Sequence, residues 1–146
     1  MKLSFSTNGW NGFTWEDFYT MAKDLGFAGV EIHDAANQAF QGVNGPLRPE
    51  NISKTARSLA NLGLTIPCIN VICDISDNET KDDNVTEIME HISLAKKLNT
   101  PFIRLRAGES GNSEADDTCA YVLAECKEFA EEAGVTILVE TVGIYA

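Results

Sequence analysis

Four times along this chain an amphipathic helix pattern stops at a Gly or Asn and a short, β-rich apolar run begins at once. The junctions are Leu25-Gly26-Phe27, Leu62-Gly63-Leu64, Leu98-Asn99-Thr100 and Ala133-Gly134-Val135. The successive intervals between Leu25, Leu62, Leu98 and Ala133 are 37, 36 and 35 residues. Gly and Asn tolerate the left-handed backbone that caps a helix, and the apolar residue that follows packs back on the last turn before the chain extends. A helix-then-strand unit recurring at a nearly fixed interval is a repeated β-α unit, which calls for a parallel sheet covered by helices.

The remaining elements follow from hydrophobic period and turn chemistry. Lys2 to Thr7 reads as the first strand, and the loop Asn8 to Phe13 leads to Thr14 and Asp17, a Thr-x-x-Asp capping pattern. Phe18, Met21, Ala22 and Leu25 then fall on one helical stripe. The second strand is expected over Ala28 to His33, followed by a polar loop to about Pro49 and a helix carrying Ile52, Ala56, Leu59 and Leu62. Leu64 to Val71 is expected as the third strand, although Pro67 within it removes a ladder donor. An acidic loop from Ser76 to Asn84 precedes a helix with Val85, Ile88, Ile92, Ala95 and Leu98, which ends at Asn99. Phe102 to Arg106 is the fourth strand. A loop from Gly108 to Asp117 then leads to a helix with Cys119, Val122, Leu123, Cys126, Phe129, Ala130 and Ala133 on one face, and Val135 to Thr141 is the fifth strand. The predicted fold is α/β, with five parallel strands and four helices in one domain over residues 1–146. Eight units at this spacing would take roughly 290 residues, the size of a closed (β/α)8 barrel, so the expectation is the N-terminal part of such a barrel.

Charge and cysteines narrow the setting. A formal net charge of −11 argues against a nucleic-acid partner, because phosphate binding relies on clustered Lys and Arg. The start of the chain is too polar for a signal peptide, and no apolar run approaches the ~18 residues of a membrane span. A cytoplasmic protein is the simplest expectation. Cys119 and Cys126 lie seven apart among apolar neighbours, while Cys68 and Cys73 have neither C-x-x-C nor zinc spacing, so buried free thiols are expected.

In repeated β-α units the chemistry gathers at the carboxyl ends of the strands. Strand two ends in Glu31 and His33, strand four in Arg104 and Arg106, and strand five in Glu140. Residues two apart share one face of a sheet. A strand covered on both faces is otherwise continuously apolar, so these side chains need partners, ligands or water. Each also has a structural reading. Glu140 fits a polar strand end as well as a site carboxylate, and the two arginines fit ion pairs with Glu31 and Glu140 as well as anion binding. His33 fits a satisfied strand-end residue as well as a site residue. His91, on a helix flank, is assigned no role.

The segments FSTNGW, LGFAGVEIHD, FIRLRAG and AEEAGVTILVET together resemble the sugar phosphate isomerase/epimerase proteins with the xylose isomerase-like barrel. That group also includes endonuclease IV, hydroxypyruvate isomerase and ketose 3-epimerases. The resemblance implies a small sugar substrate and a divalent metal (Mn, Mg, Co or Zn) held at the ends of strands five to eight. It implies isomerisation by proton transfer next to a carbonyl, with paired glutamates as acid and base. Glu140 matches the strand-five glutamate, as metal ligand and catalytic group; Glu31 and His33 match a strand-two position facing the sugar. Arg104 and Arg106, from their place at the end of strand four, are expected as further substrate contacts. The remaining ligands belong to strands six to eight, which have no counterpart here. The expectation is therefore that this chain alone binds metal weakly and is inactive, and that it self-associates through open sheet edges. A flavodoxin-like cofactor-binding domain and a non-catalytic, self-associating half barrel are the alternatives. The low His content argues against the DNA-repair branch.

Overall fold

The computed structural model describes residues 1–108 and 112–140. Ten elements follow in order: β1 Ser4–Ser6, α1 Trp15–Asp24, β2 Gly29–His33, α2 Gln38–Gln41, α3 Ile52–Leu62, β3 Cys68–Asp74, α4 Lys81–Leu98, β4 Phe102–Arg106, α5 Ser113–Ala133 and β5 Thr136–Glu140. The strands form one parallel sheet in chain order, β1-β2-β3-β4-β5. The flavodoxin-like alternative, which places the first strand between the second and third, does not have this order. Among the described residues no helix is long and apolar enough to cross a membrane.

Contacts divide the chain into two compact units. The first comprises Met1–Asn70 and Lys97–Thr100; the second comprises Val71–Lys96 and the described residues from Pro101 onward. In the first unit, β1 and β2 run in register from Ser4 opposite Gly29 to Ser6 opposite Glu31, and His33 lies opposite Asn70 of β3. Helix α1 opens with the expected capping box: the Thr14 hydroxyl accepts from the Asp17 amide at 3.3 Å, and the Asp17 carboxylate accepts from the Thr14 amide at 2.7 Å. The Thr14 amide and then the Thr14 hydroxyl, both donating to the Asp17 carboxylate, lower its pKa from the ordinary value. Phe18 and Ala22 are buried beside β2 residues Val30 and Ile32, and Phe18 stacks on Phe40 with ring centroids 6.1 Å apart. In the second unit, β4 and β5 pair without interruption from Phe102 opposite Thr136 to Arg106 opposite Glu140. Ile103, Leu105, Val122, Cys126 and Ile88 form its core.

Several expectations need correction. Among the described residues there are five helices rather than four, because Asn37 caps a one-turn helix, α2, inside the predicted polar loop. Strand β3 lies about four residues later than expected. Pro67 cannot donate to a ladder, so regular pairing begins after it, and Thr65 makes only an isolated bridge to Gly29. Helix α5 begins at Ser113, where Asn112 caps it by accepting from the Ala115 amide at 2.8 Å. Helix α4 begins at Lys81, within the expected acidic loop, with Asp82 and Asp83 in its first turn, where they favour the positive end of the helix dipole. Leu25 and Phe129, placed on buried stripes by their spacing, are exposed. Part of the predicted Gly108–Asp117 loop and the predicted strand residue Thr141 lie outside the described residues.

Candidate functional site

In the first unit, the polar groups at the strand ends are built on a backbone clamp. The amide of Thr7, just past β1, donates to the Glu31 carbonyl at 3.0 Å, and the His33 amide donates to the Thr7 hydroxyl at 2.9 Å. Thr7 is buried, so this hydroxyl fixes the end of β2 rather than solvating it. Beside it, the Asn70 amide nitrogen lies 2.9 Å from His33 Nδ1. Asn70 is only 1 % exposed, between the fully buried Ile69 and Val71. Glu31 and His33 are half-buried on the same side of β2, while Val30 and Ile32 are buried on the other, as their alternation requires.

In the second unit, Arg104 Nε lies 3.7 Å from a Glu140 carboxylate oxygen, both side chains about one-third exposed. The structural pairing weighed for Arg104 and Glu140 is thus present. Arg106 at the end of β4 is exposed, and its carbonyl accepts from the Ile75 amide at 3.4 Å. Asp74 ends β3, and its carboxylate accepts from the amide and hydroxyl of Ser76 at 2.9 and 2.6 Å. Gly108 lies directly against the Asp74 carboxylate and the Ser76 hydroxyl, so closely that any side chain there would meet them. Asp74 and Asn70 were not singled out by sequence reasoning. Their signal was a polar residue inside an apolar strand, hidden for Asp74 because the predicted strand stopped at Val71.

None of the four cysteines is in a disulfide. Burial, with Glu87 and Asp74 adding, pushes the Cys73 thiol up to about 12, and burial beside Glu125 pushes Cys126 up to about 11. Thiols so poorly ionised are weak nucleophiles and weak metal ligands. Among the described residues, no group of three or more His, Cys, Asp or Glu side chains is placed to hold a metal ion. Among the described residues, the ion-pair partner of Glu140 is the Arg104 guanidinium. Oxygen-ligand metals need several converging donors. A separate open groove of about 1110 Å³, lined by Trp15, Tyr19, Asn51, Lys54 and Ser58 among others, includes no strand residue.

A parallel sheet in chain order, helices between the strands and polar residues at the strand ends define a (β/α)-barrel class of protein. The family model described as xylose isomerase-like TIM barrel matches residues 19–145, and the chain belongs to that family. Solved structures agree on the fold. The probable 3-DHS dehydratase AsbF of Bacillus anthracis is 21% identical, with a TM-score of 0.74, covering 98% of this chain and 53% of that one. A D-tagatose 3-epimerase-like protein is 19% identical (TM-score 0.74; 95% and 52% covered), and the IolI protein, solved with a bound zinc atom, is 17% identical (TM-score 0.76; 95% and 51% covered). The chain spans about half the length of each of these structures. No curated protein matches the sequence.

Proposed function

We propose that this chain is the N-terminal portion of a metal-dependent sugar or sugar-phosphate isomerase or epimerase, a single truncated barrel domain acting in the cytoplasm on a small sugar and not on nucleic acid. The observation that carries the reading is the row of polar strand ends in a member of the xylose isomerase-like family: Glu31 and His33 on β2, Arg104 and Arg106 on β4, Glu140 on β5. In this reading Glu31, His33, Arg104 and Arg106 contact the sugar. Glu140 serves as a proton-transferring carboxylate and contributes one ligand to a metal whose other ligands lie outside this chain. Arg104, with its Nε 3.7 Å from that carboxylate, is its charge partner. Proton removal next to a carbonyl is the reaction class such a carboxylate serves.

The test is solvent-deuterium exchange into a ketose such as D-tagatose, using the chain extended through whatever coding sequence follows it. Deuterium appearing at the carbon next to the carbonyl, and lost in Glu140→Gln, is the expected result. An in-frame stop immediately downstream, or an extended barrel that exchanges nothing, would overturn the reading. The chain alone is expected to be inactive and to show only weak heats on calorimetric titration with Mn²⁺ or Mg²⁺, because one carboxylate stands where several ligands are needed. Micromolar affinity abolished by Glu140→Gln would instead show a metal site complete within this chain or a dimer of it.

A further inference from the structure

The contact between Asn70 and His33 fixes more than a ring position. An amide nitrogen has protons to donate and no lone pair to offer. The ring nitrogen that lies 2.9 Å from Asn70 Nδ2 is Nδ1, so Nδ1 must be the acceptor. A neutral imidazole has one donor and one acceptor nitrogen, and its single proton therefore sits on Nε2. We infer that Asn70 is a positioning residue that holds His33 in the Nε2–H form, making the end of β2 a fixed hydrogen-bond donor for a ligand oxygen.

Burial and register support this assignment. Asn70, 1 % exposed, cannot exchange the ring for bulk water. It lies directly opposite His33 in the β2–β3 register, and the His33 amide is tied to the buried Thr7 hydroxyl, so the backbone carrying the ring is held on both sides. His33 itself is only half-buried. The chemical consequence is selective. A ring whose Nδ1 lone pair is occupied and whose Nε2 carries the proton is neither a metal ligand nor a general base; it is a donor suited to a carbonyl, hydroxyl or phosphate oxygen. Identifying that oxygen as part of a sugar rests on the function proposed above, whereas the tautomer does not.

His91 supplies an internal control. Its Nδ1 lies 2.8 Å from the Glu87 carbonyl, which can only accept, so His91 must carry its proton on Nδ1. The two histidines of the chain are thus expected in opposite tautomers. The experiment is nitrogen-15 NMR of the labelled full chain at alkaline pH, above the ordinary imidazole range, with His91→Gln assigning the signals. Multiple-bond ring correlations should report Nε2–H for His33 and Nδ1–H for His91, and a coupling across the hydrogen bond should join His33 Nδ1 to the Asn70 side-chain nitrogen. Asn70→Asp replaces the donor with an acceptor of the same shape and should switch His33 to Nδ1–H; Asn70→Leu should abolish the coupling. A wild-type His33 found as Nδ1–H, or one lacking the coupling to Asn70, overturns the inference even if neither variant folds. A folded Asn70→Asp protein that keeps the Nε2–H form overturns it equally. No sugar is needed, so this failure is distinct from a failure of the exchange assay.

Discussion

Single residues show where sequence and structure constrain each other most tightly. Gly29 opens β2, and a methyl group built on it would lie 2.6 Å from the Thr65 carbonyl oxygen and 2.9 Å from the Thr65 hydroxyl. That carbonyl accepts from the Val30 amide at 2.9 Å, so it cannot retreat without breaking the bridge that joins the two segments. Gly29→Ala should therefore cost about 1–3 kcal/mol, the usual penalty of overpacking, as a lower urea midpoint with an unchanged slope. Cys73 makes a prediction in pH. Its thiol is raised from 9.0 to about 12 in the folded state, mainly by burial, so the folded protein holds this proton more tightly than the unfolded chain. Stability is then fully present below about pH 9 and falls as pH rises toward about 12, because the unfolded chain gains by losing the proton. Urea midpoints measured across that range should decline, and Cys73→Ala should remove part of the decline, leaving the share that belongs to Cys126 and to Tyr19 and Tyr121, which are also raised. Much of the candidate site was legible at this scale. Glu31, His33, Arg104, Arg106 and Glu140 stand out because each interrupts a strand that should be apolar. Asn70 obeys the same rule but passed unnoticed, because its role depends on facing His33 across the sheet, a pairing set by strand register and invisible in one dimension.

Elements were most legible at their C-terminal ends. Gly26, Gly63, Asn99 and Gly134, chosen from sequence as helix stops, have φ of 73°, 68°, 56° and 71°, the left-handed conformation such stops require. Asn99 is the informative one, being the only residue of the four with a side chain to strain. Asn99→Gly should leave stability within about 0.5 kcal/mol, since relief of the left-handed conformation is offset by greater freedom in the unfolded chain. Asn99→Val should lower it by about 1–2 kcal/mol, because a β-branched residue tolerates that backbone poorly. Thermal or urea melts of the two variants check the pair, and equal stabilities would show that the cap is not under strain. Helix starts were harder. Only Thr14 with Asp17 announced one clearly, through a reciprocal cap. Helices α4 and α5 begin with polar, acidic turns that carry no hydrophobic period, so their first turns read as loop. Helix α2, with four residues, is too short to show any period. The displacement of β3 has a different origin: Leu64 and Ile66 are buried beside Pro67, which keeps the apolar run but postpones the ladder.

For the whole molecule, the regular spacing of the units told the architecture and the strand order rules on its alternatives. Parallel strands in chain order are what a barrel lays down one unit at a time, and the family match agrees. In that order β1 and β5 have one neighbour each among the described residues, so each carries an edge of unpaired amides and carbonyls, a template for pairing with another chain. At one of these edges the second unit leaves Phe102 and Leu138 each 39% exposed. On β4 and β5 these are positions that alternate with the buried face. Apolar area removed from water is worth ~25 cal/mol per Å2, so covering this face favours association. The isolated chain should sediment as a dimer or larger species at micromolar concentration. Leu138→Lys should shift it toward monomer by placing a charge on the face and at the edge together. Because Leu138 pairs in register with Arg104, a lysine there also meets a like charge within the same sheet. Leu138→Gln separates the two effects: it removes the apolar surface without adding charge, and it too should weaken association if burial of this face is the driving force. A chain that stays monomeric across the accessible concentration range would show that this edge and face do not drive self-association. An assembly insensitive to both substitutions would place the interface elsewhere, on a surface that owes nothing to the fifth strand.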